Sequence, residues 1–244
     1  SVFAQFHSVT VLGGEEYGQI LVEGVVLPPL AQPGYYCLRA KLFDTAGEEM
    51  ADGRDDMFAV DCTRGPVIQG RVAVVDTSGV LKSFLRQTCG IEAVDYDPRG
   101  PRCDYIIIGF HDASILRKLT TRADIRSFDP IMDQVACGST LIILDQADVW
   151  AARLASFDYP AVQYRGYERW GKQGQIFVGK SPFLTCLPQA CGMNWEYQSF
   201  YRGDVWGLRF ARTGVETIAA LAANHRGEIL DALSRIRFGN GQVI

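Results

Sequence analysis

The sequence predicts an α/β plus all-β protein: an all-β module, then a three-layer α/β domain with additional β strands near the C-terminus. Three observations support this fold class. The first segment shows only the two-residue period of strands, short apolar runs then alternate with helical patterns, and glycine-rich turns separate further strands after about residue 159. The predicted boundaries are 1–62 for the β module, 63–69 for a linker and 70–244 for the α/β domain.

Pro- and Gly-bounded segments define the predicted β module. The two strand-like segments are QILVEGVVLP and GYYCLRAKLFDTAGEEM. In the second, Tyr36, Leu38 and Leu42 fall on one face, which predicts a sheet with one buried face. A turn is expected at DTAG and a closing strand at DMFAVD. Together these features predict a small sandwich.

The α/β domain is predicted from apolar strands that alternate with helices. The strand-like runs are RVAVVD, IEAVDY, CDYIIIGF and STLIILD. The helical segments are TSGVLKSFLRQTC, which ends at Gly90, then SILRKLTTRADI, FDPIMDQVA and QADVWAARLASF. This alternation is typical of βαβ units and a mostly parallel sheet.

The C-terminal part is predicted to contain strands joined by turns. Leu230, Ile236 and Phe238 share one face of an alternating segment, which favours a strand over a helix. Gly239 and Gly241 form only a GxG pattern with no helix after it. They therefore predict a hairpin turn and not a phosphate-binding loop.

Composition excludes several classes of function. The net charge is −4 and the pI is about 5.4, so no basic footprint for nucleic acid is present. No apolar run approaches the length of a membrane span. The three His and seven Cys show no metal-ligand spacing, so no metal or cofactor is predicted. A disulfide between Cys186 and Cys191 stays open, and so does the cellular compartment.

One polar pair is the best candidate for catalysis. His111 and Asp112 follow the predicted central strand, at the edge where open α/β sheets bind ligands. A hydrolase of this architecture would place Ser or Cys at a tight turn there, and the sequence places His111 instead. Cys137 stands at a predicted helix end, which is a structural position. Two interpretations therefore stay open. Either the domain has no catalytic residue, or it is an amidase-like hydrolytic enzyme that uses His111 and Asp112.

Aromatic residues beside carboxylates form the candidate carbohydrate contact. Rings can stack on sugars while carboxylates accept hydroxyl protons, but the same rings also pack as cross-strand pairs. Both interpretations stay open, and the second alternative function is a carbohydrate-binding module. The candidate residues are Tyr167, Glu168, Trp170, Trp195, Glu196 and Trp206.

The order of these segments resembles the C-terminal region of glycoside hydrolase family 2 proteins, which include β-galactosidases. PGYYCLRAKLFDTAGEEMADGRDDMFAV resembles the immunoglobulin-like β module that follows their catalytic barrel. The segments from RVAVVDTSG to VACGSTLIILD resemble a flavodoxin-like, glutamine-amidotransferase-like domain. MNWEYQSFYRGDVWGL and RIRFGNGQVI resemble the last part of the same regions.

The resemblance implies a non-catalytic accessory region of a multidomain glycosidase. No residue here matches the catalytic glutamates of that family, so none is assigned. Both ends of the chain read as strand interiors, which predicts a piece of a longer chain. The implied partners are the N-terminal catalytic domains of the same parent chain, carbohydrate, or a second copy. A periplasmic or extracellular location of the parent is compatible with this.

Overall fold

A computed structural model describes most of the chain. It divides the chain into two compact units, which we call the β unit (Ser1–Asp61) and the α/β unit (Cys62–Ile244). The predicted linker overlaps residues 61–67, which lie outside the described residues, so its boundaries stay a prediction. The described residues are 3–14, 18–60, 68–109, 129–157, 163–170, 175–184, 187–192, 197, 205–211, 214–223 and 228–244.

The β unit contains one antiparallel hairpin. Strands β1 (Gly34–Phe43) and β2 (Glu49–Ala59) pair along their whole lengths. The turn predicted at DTAG is present, because the Asp44 carboxylate accepts the backbone N–H groups of Ala46 and Glu48. DMFAVD was predicted as a separate closing strand, and most of it is the end of β2.

The small sandwich is not seen in the described part of the β unit, where the sheet has two strands. The prediction of a strand over residues 19–28 is wrong, because this segment has no strand pairing. Its alternating apolar side chains face solvent, with Ile20 and Val26 74% and 82% exposed. The predicted buried face of β1 is also open, since Leu38 is 42% exposed. An alternating pattern produces a strand only when a neighbour supplies hydrogen bonds and a covering layer.

The α/β unit is built on a parallel sheet, as predicted. The apolar runs VAVV, YIII and TLII become strands because both of their faces are covered. The order across this part is β4–β3–β5–β6, and every neighbouring pair is parallel. The four strands are β3 (Val72–Val75), β4 (Ala93–Asp95), β5 (Tyr105–Ile108) and β6 (Thr140–Ile143).

Helices cover both faces of the parallel strands. Leu85 of α1 (Val80–Cys89) packs with Val72, Val74 and Ile107 on one face. This helix ends as predicted at Gly90, whose φ of 65° is easy only for glycine. On the other face α2 (Asp129–Ala136) and α3 (Ala147–Leu154) cover the main core. Its fully enclosed members include Ala73, Ile106, Met132, Val135, Leu141 and Trp150.

Antiparallel strands extend the same sheet. They carry it from β6 through β13, β12, β11 and β8 to β9, while β10 pairs with β12 and β7. The strand predicted around Leu230–Phe238 is confirmed, and so is the hairpin turn at Gly239. The strands are β7 (Gln163–Trp170), β8 (Gln175–Val178), β9 (Cys191–Gly192), β10 (Val205–Ala211), β11 (Val215–Ala223), β12 (Glu228–Phe238) and β13 (Gly241–Val243). The α/β plus β fold class is thus confirmed, while the predicted helix over residues 114–125 lies outside the described residues.

Candidate functional site: a crevice at the carboxyl edge of the parallel sheet

A crevice of about 440 Å³ lies at the carboxyl ends of β3, β5 and β6. Strand β3 connects through α1 to β4 on one side, while β5 lies on its other side. Open α/β sheets bind ligands at such a change of direction, outside the carboxyl ends of the strands. We call this feature the carboxyl-edge crevice. Its lining residues are Asp76, Ser78, Val80, Leu81, Phe84, Gly109, Leu144 and Asp145.

The first wall is the loop between β3 and α1, which Asp76 organises. One oxygen of its carboxylate accepts the Ser78 hydroxyl at 2.6 Å and the Ser78 backbone N–H at 3.0 Å. The other oxygen accepts the backbone N–H of Leu81 at 2.8 Å. The N-cap residue Gly79 makes no side-chain hydrogen bond. Asp76 therefore caps α1 from three residues before Gly79.

The protonation of Asp76 follows from these contacts. Partial burial raises the pKa of Asp76, but the opposing hydrogen bonds from Ser78, Leu81 and Lys82 together outweigh it. The net pKa lies below the usual value of an aspartate. Asp76 is thus a carboxylate at neutral pH, placed near the positive end of the α1 dipole.

The floor of the crevice depends on Gly109, the residue after β5. A Cβ atom here would lie 2.8 Å from Cδ2 of Leu81 and 3.2 Å from Cβ of Asp76. Glycine therefore lets the first turn of α1 approach the end of the central strand. The backbone N–H of Gly109 also donates to the carbonyl of Val75, at 2.9 Å, so the end of β5 stays joined to β3.

The opposite wall is the turn between β6 and α3. The backbone N–H of Gln146 donates to one Asp145 oxygen at 2.9 Å, and its side-chain amide donates to the other at 3.2 Å. Gln146 has a φ of 58°, a left-handed conformation that is uncommon outside glycine. The turn holds Leu144 and Asp145 at the crevice.

Apolar side chains dominate the crevice surface. Val80 and Phe84 lie one turn apart on α1 and are 69% and 51% exposed. Leu144 is 63% exposed on the other wall. Apolar side chains around a concavity are typical of small-molecule sites.

The hydrogen bonds of the loop between β3 and α1 favour a structural role over a catalytic one. The hydroxyl of Ser78 donates to Asp76 and accepts the N–H of Val80 at 3.2 Å. A carboxylate whose pKa is lowered is a weak base, so it does not activate this hydroxyl. The first-turn N–H groups of α1 are also used by Asp76 and Ser78, which leaves them no capacity for a phosphate.

Several predicted site residues lie outside the described residues. They are His111, Asp112, Trp195 and Glu196, so the catalytic pair and two of the six carbohydrate-contact candidates stay predictions. Cys186 lies outside as well, and the disulfide with Cys191 stays open. Cys137 follows the end of α2 and precedes Gly138, whose φ is 116°, as expected for a helix-stop position.

The backbone brings the other aromatic candidates together. Strands β7 and β10 pair so that Tyr167 faces Leu208, Glu168 faces Gly207 and Trp170 faces Val205. Trp206 lies in the same register, opposite Arg169. Four of the six carbohydrate-contact candidates therefore belong to one strand pair.

The described part of the chain shows neither a metal site nor a membrane-spanning helix. There, no group of three or more His, Cys, Asp or Glu side chains is placed to hold a metal ion. Nor does any described helix combine the length and apolar character that crossing a bilayer requires.

Sequence reasoning did not single out Asp76 or Asp145. The signal for Asp76 is an Asp two residues before a Ser at the start of a helix, which is a helix-capping pattern. Asp145 gives a similar local signal, but its closeness to Asp76 depends on the strand order. The sequence matches no protein-family model, and no curated protein is significantly similar to it.

Proposed function

We propose that this chain is a non-catalytic accessory region of a multidomain, family 2-like glycoside hydrolase. In this proposal the β unit is an immunoglobulin-like module, and the α/β unit is a flavodoxin-like, glutamine-amidotransferase-like domain. Its role is to pack against the catalytic domains of the same parent chain, to support oligomerisation, or to contact carbohydrate.

The strand order supports the flavodoxin-like assignment. Numbered by their order in the chain, the parallel strands β4, β3, β5 and β6 run 2-1-3-4 across the sheet. Strand β13 lies next to β6 and parallel to it, so it takes the fifth position. The resulting 2-1-3-4-5 order is that of flavodoxin-like folds.

The observation that carries the non-catalytic role is the closed loop around Asp76. Its carboxylate, the Ser78 hydroxyl and the first N–H groups of α1 bond to one another. Among the described residues, these are the groups with which this loop could serve nucleophilic or phosphate chemistry. Because they satisfy each other, they support a structural role of this loop.

An activity assay tests this role. The purified chain should hydrolyse no chromogenic glycoside from a panel that includes β-galactosides. Turnover that co-purifies with the chain through several orthogonal columns, and that a point substitution in the chain abolishes, would refute the proposal. The coding sequence upstream of Ser1 should encode a barrel with paired glutamates at its strand ends, and a different domain there would contradict it as well.

Removal from the parent enzyme gives the positive test. Deleting residues 1–244 should lower the melting temperature of the parent or change its oligomeric state, while kcat per folded barrel is retained. Loss of kcat in a barrel that is still folded would indicate a direct catalytic role of the region.

Carbohydrate contact is the second candidate, favoured by the pairing of β7 with β10. Because successive residues alternate between the faces of a strand, the register puts Glu168 and Trp170 on one face of this pair and Tyr167 and Trp206 on the other. The first face combines an aromatic with an acidic residue, which is the combination that can contact a sugar. Isothermal titration with galactan oligosaccharides should give heat that W170A reduces, while W206A, on the other face, serves as the matched control. No heat at millimolar sugar would exclude this candidate.

A further inference from the structure

We propose that the carboxyl-edge crevice binds a small organic cation, with its ammonium group at Asp145 and its apolar body between Phe84 and Leu144. The inference does not depend on the accessory role proposed above, because a non-catalytic domain can hold such a ligand. It rests on the acceptor capacity, the charge and the apolar walls of the crevice.

Asp145 supplies the free acceptor capacity. A carboxylate offers about four acceptor positions. In Asp145 two of them are used, one by each donor of Gln146. The remaining positions can accept N–H donors from a ligand in the crevice, and an ammonium group supplies up to three donors.

Asp76 adds negative charge to the crevice without competing with Asp145 for the ammonium group of the ligand. Its two oxygens already accept the hydroxyl and N–H of Ser78 and the N–H of Leu81. Among the described residues, the crevice lining contains two carboxylates and no basic side chain. Lys82, one residue after Leu81 on α1, is paired with Asp95 at 2.8 Å through both carboxylate oxygens. The crevice therefore favours a cation over a neutral or anionic ligand.

The walls select a ligand with an apolar body. Val80, Phe84 and Leu144 are each at least half exposed, so a ligand lying against them would remove apolar surface from water. The exposed ring of Phe84 can also attract a cation through its face. The crevice volume of about 440 Å³ falls within the range of small-molecule sites.

The hydrogen bonds at the N-terminus of α1 disfavour binding of an anion in the crevice. A helix N-terminus attracts phosphate because its first N–H groups are unpaired. In α1 the N–H groups of Val80 and Leu81 already donate to Ser78 and Asp76. A phosphate here would have to displace a carboxylate of its own charge, so binding of anions is disfavoured.

Three matched probes test the proposal with the whole chain. Phenethylammonium is the cation, phenethyl alcohol is its neutral analogue and hydrocinnamate is its anionic analogue. Affinities are measured by ligand-observed and protein-observed NMR at neutral pH and low salt. The variants are D145N and F84A, with D133N as the control, because Asp133 is an exposed carboxylate on α2.

The expected dissociation constant of phenethylammonium is on the order of 1 mM, because the ligand is small. The two analogues should bind at least about fivefold more weakly, and D145N should weaken the cation about tenfold. F84A should weaken it about threefold, while D133N should leave the affinity unchanged. Phe84 is half exposed, so F84A is compatible with folding, and the NMR spectrum verifies this.

Three results would overturn the proposal. The first is no binding of phenethylammonium up to about 10 mM. The second is equal binding of the alcohol, which would remove the role of charge. The third is an affinity that neither D145N nor F84A changes, which would place the ligand elsewhere. None of these results bears on the accessory role, since that is tested by glycoside turnover and by deletion from the parent.

Discussion

Replacing Asp76 by alanine should destabilise the α/β unit by about 1–2 kcal/mol at neutral pH. The carboxylate accepts the Leu81 N–H and both donors of Ser78, so the substitution removes a helix cap. Loss of a cap costs about 1 kcal/mol, and loss of a negative charge near a helix N-terminus costs about 0.3–1 kcal/mol more. For a unit of this size the melting temperature should fall by about 2–8 °C.

The effect of this substitution should depend on pH in a defined direction. The pKa of Asp76 is lower in the folded state than its usual value of about 4. Its ionisation therefore stabilises the folded state fully above that usual value, and this stabilisation is lost as the pH falls through the folded pKa. The difference between the native chain and D76A should shrink across that acidic window, because a protonated Asp76 no longer acts as a charged cap.

Tryptophan fluorescence provides the assay. All four tryptophans lie between residues 150 and 206, so the signal reports on the α/β unit. Urea unfolding at neutral pH and at several acidic pH values gives the two stability curves. A difference below about 0.5 kcal/mol at neutral pH would refute the capping role of Asp76. A difference that stays constant into acid would refute the contribution of its charge.

Three further substitutions test the packing around the crevice and the core. G109A should destabilise the unit by about 1–3 kcal/mol, because its Cβ would lie 2.8 Å from Cδ2 of Leu81, 3.2 Å from Cβ of Asp76 and 3.3 Å from Cβ of Leu81. Urea unfolding measures this change. S139A should cost about 1–3 kcal/mol in the same assay, since the fully buried Ser139 hydroxyl donates to the Cys103 carbonyl at 2.6 Å. L141A should cost about 2–5 kcal/mol and is best followed by thermal unfolding, because Leu141 has no exposed surface.

Exposed substitutions provide the controls for these measurements. S83A on the open face of α1 should leave stability within about 0.5 kcal/mol of the native chain. A stable G109A would mean that α1 can move away from β5 without loss. Equal stability of S139A and S83A would show that the Cys103 carbonyl finds another donor.

The parallel part of the fold could be predicted because its signals are local. Residues 105–108 form an apolar run that is typical of a strand covered on both faces, and Gly90 ends α1 where a left-handed residue is needed. The error over residues 19–28 has the opposite origin. Its alternating apolar pattern requires a pairing strand, and the described residues supply none. A two-residue apolar period shows that a segment is able to form a strand. Whether it forms one depends on a neighbouring strand elsewhere in the chain.

The position of the crevice could be predicted only in part from the sequence. The rule that ligands bind at the carboxyl ends of parallel strands pointed to the edge of the sheet where the crevice lies. It led to the residues after β5, which lie beyond Gly109 and outside the described residues, while the crevice is built from the ends of β3 and β6 as well. Asp76 and Asp145 lie 69 residues apart in the sequence. Only the strand order brings them to one cavity.

The placement of β13 has a consequence for biosynthesis. This three-residue strand lies between β6, to which it is parallel, and β12, to which it is antiparallel. It thus joins the parallel and the antiparallel parts of the described sheet, although it follows all the other described strands in the chain. Until Gly241–Val243 has left the ribosome, β6 and β12 each expose an unpaired sheet edge. Chaperones would be needed in this state, because open edges promote aggregation.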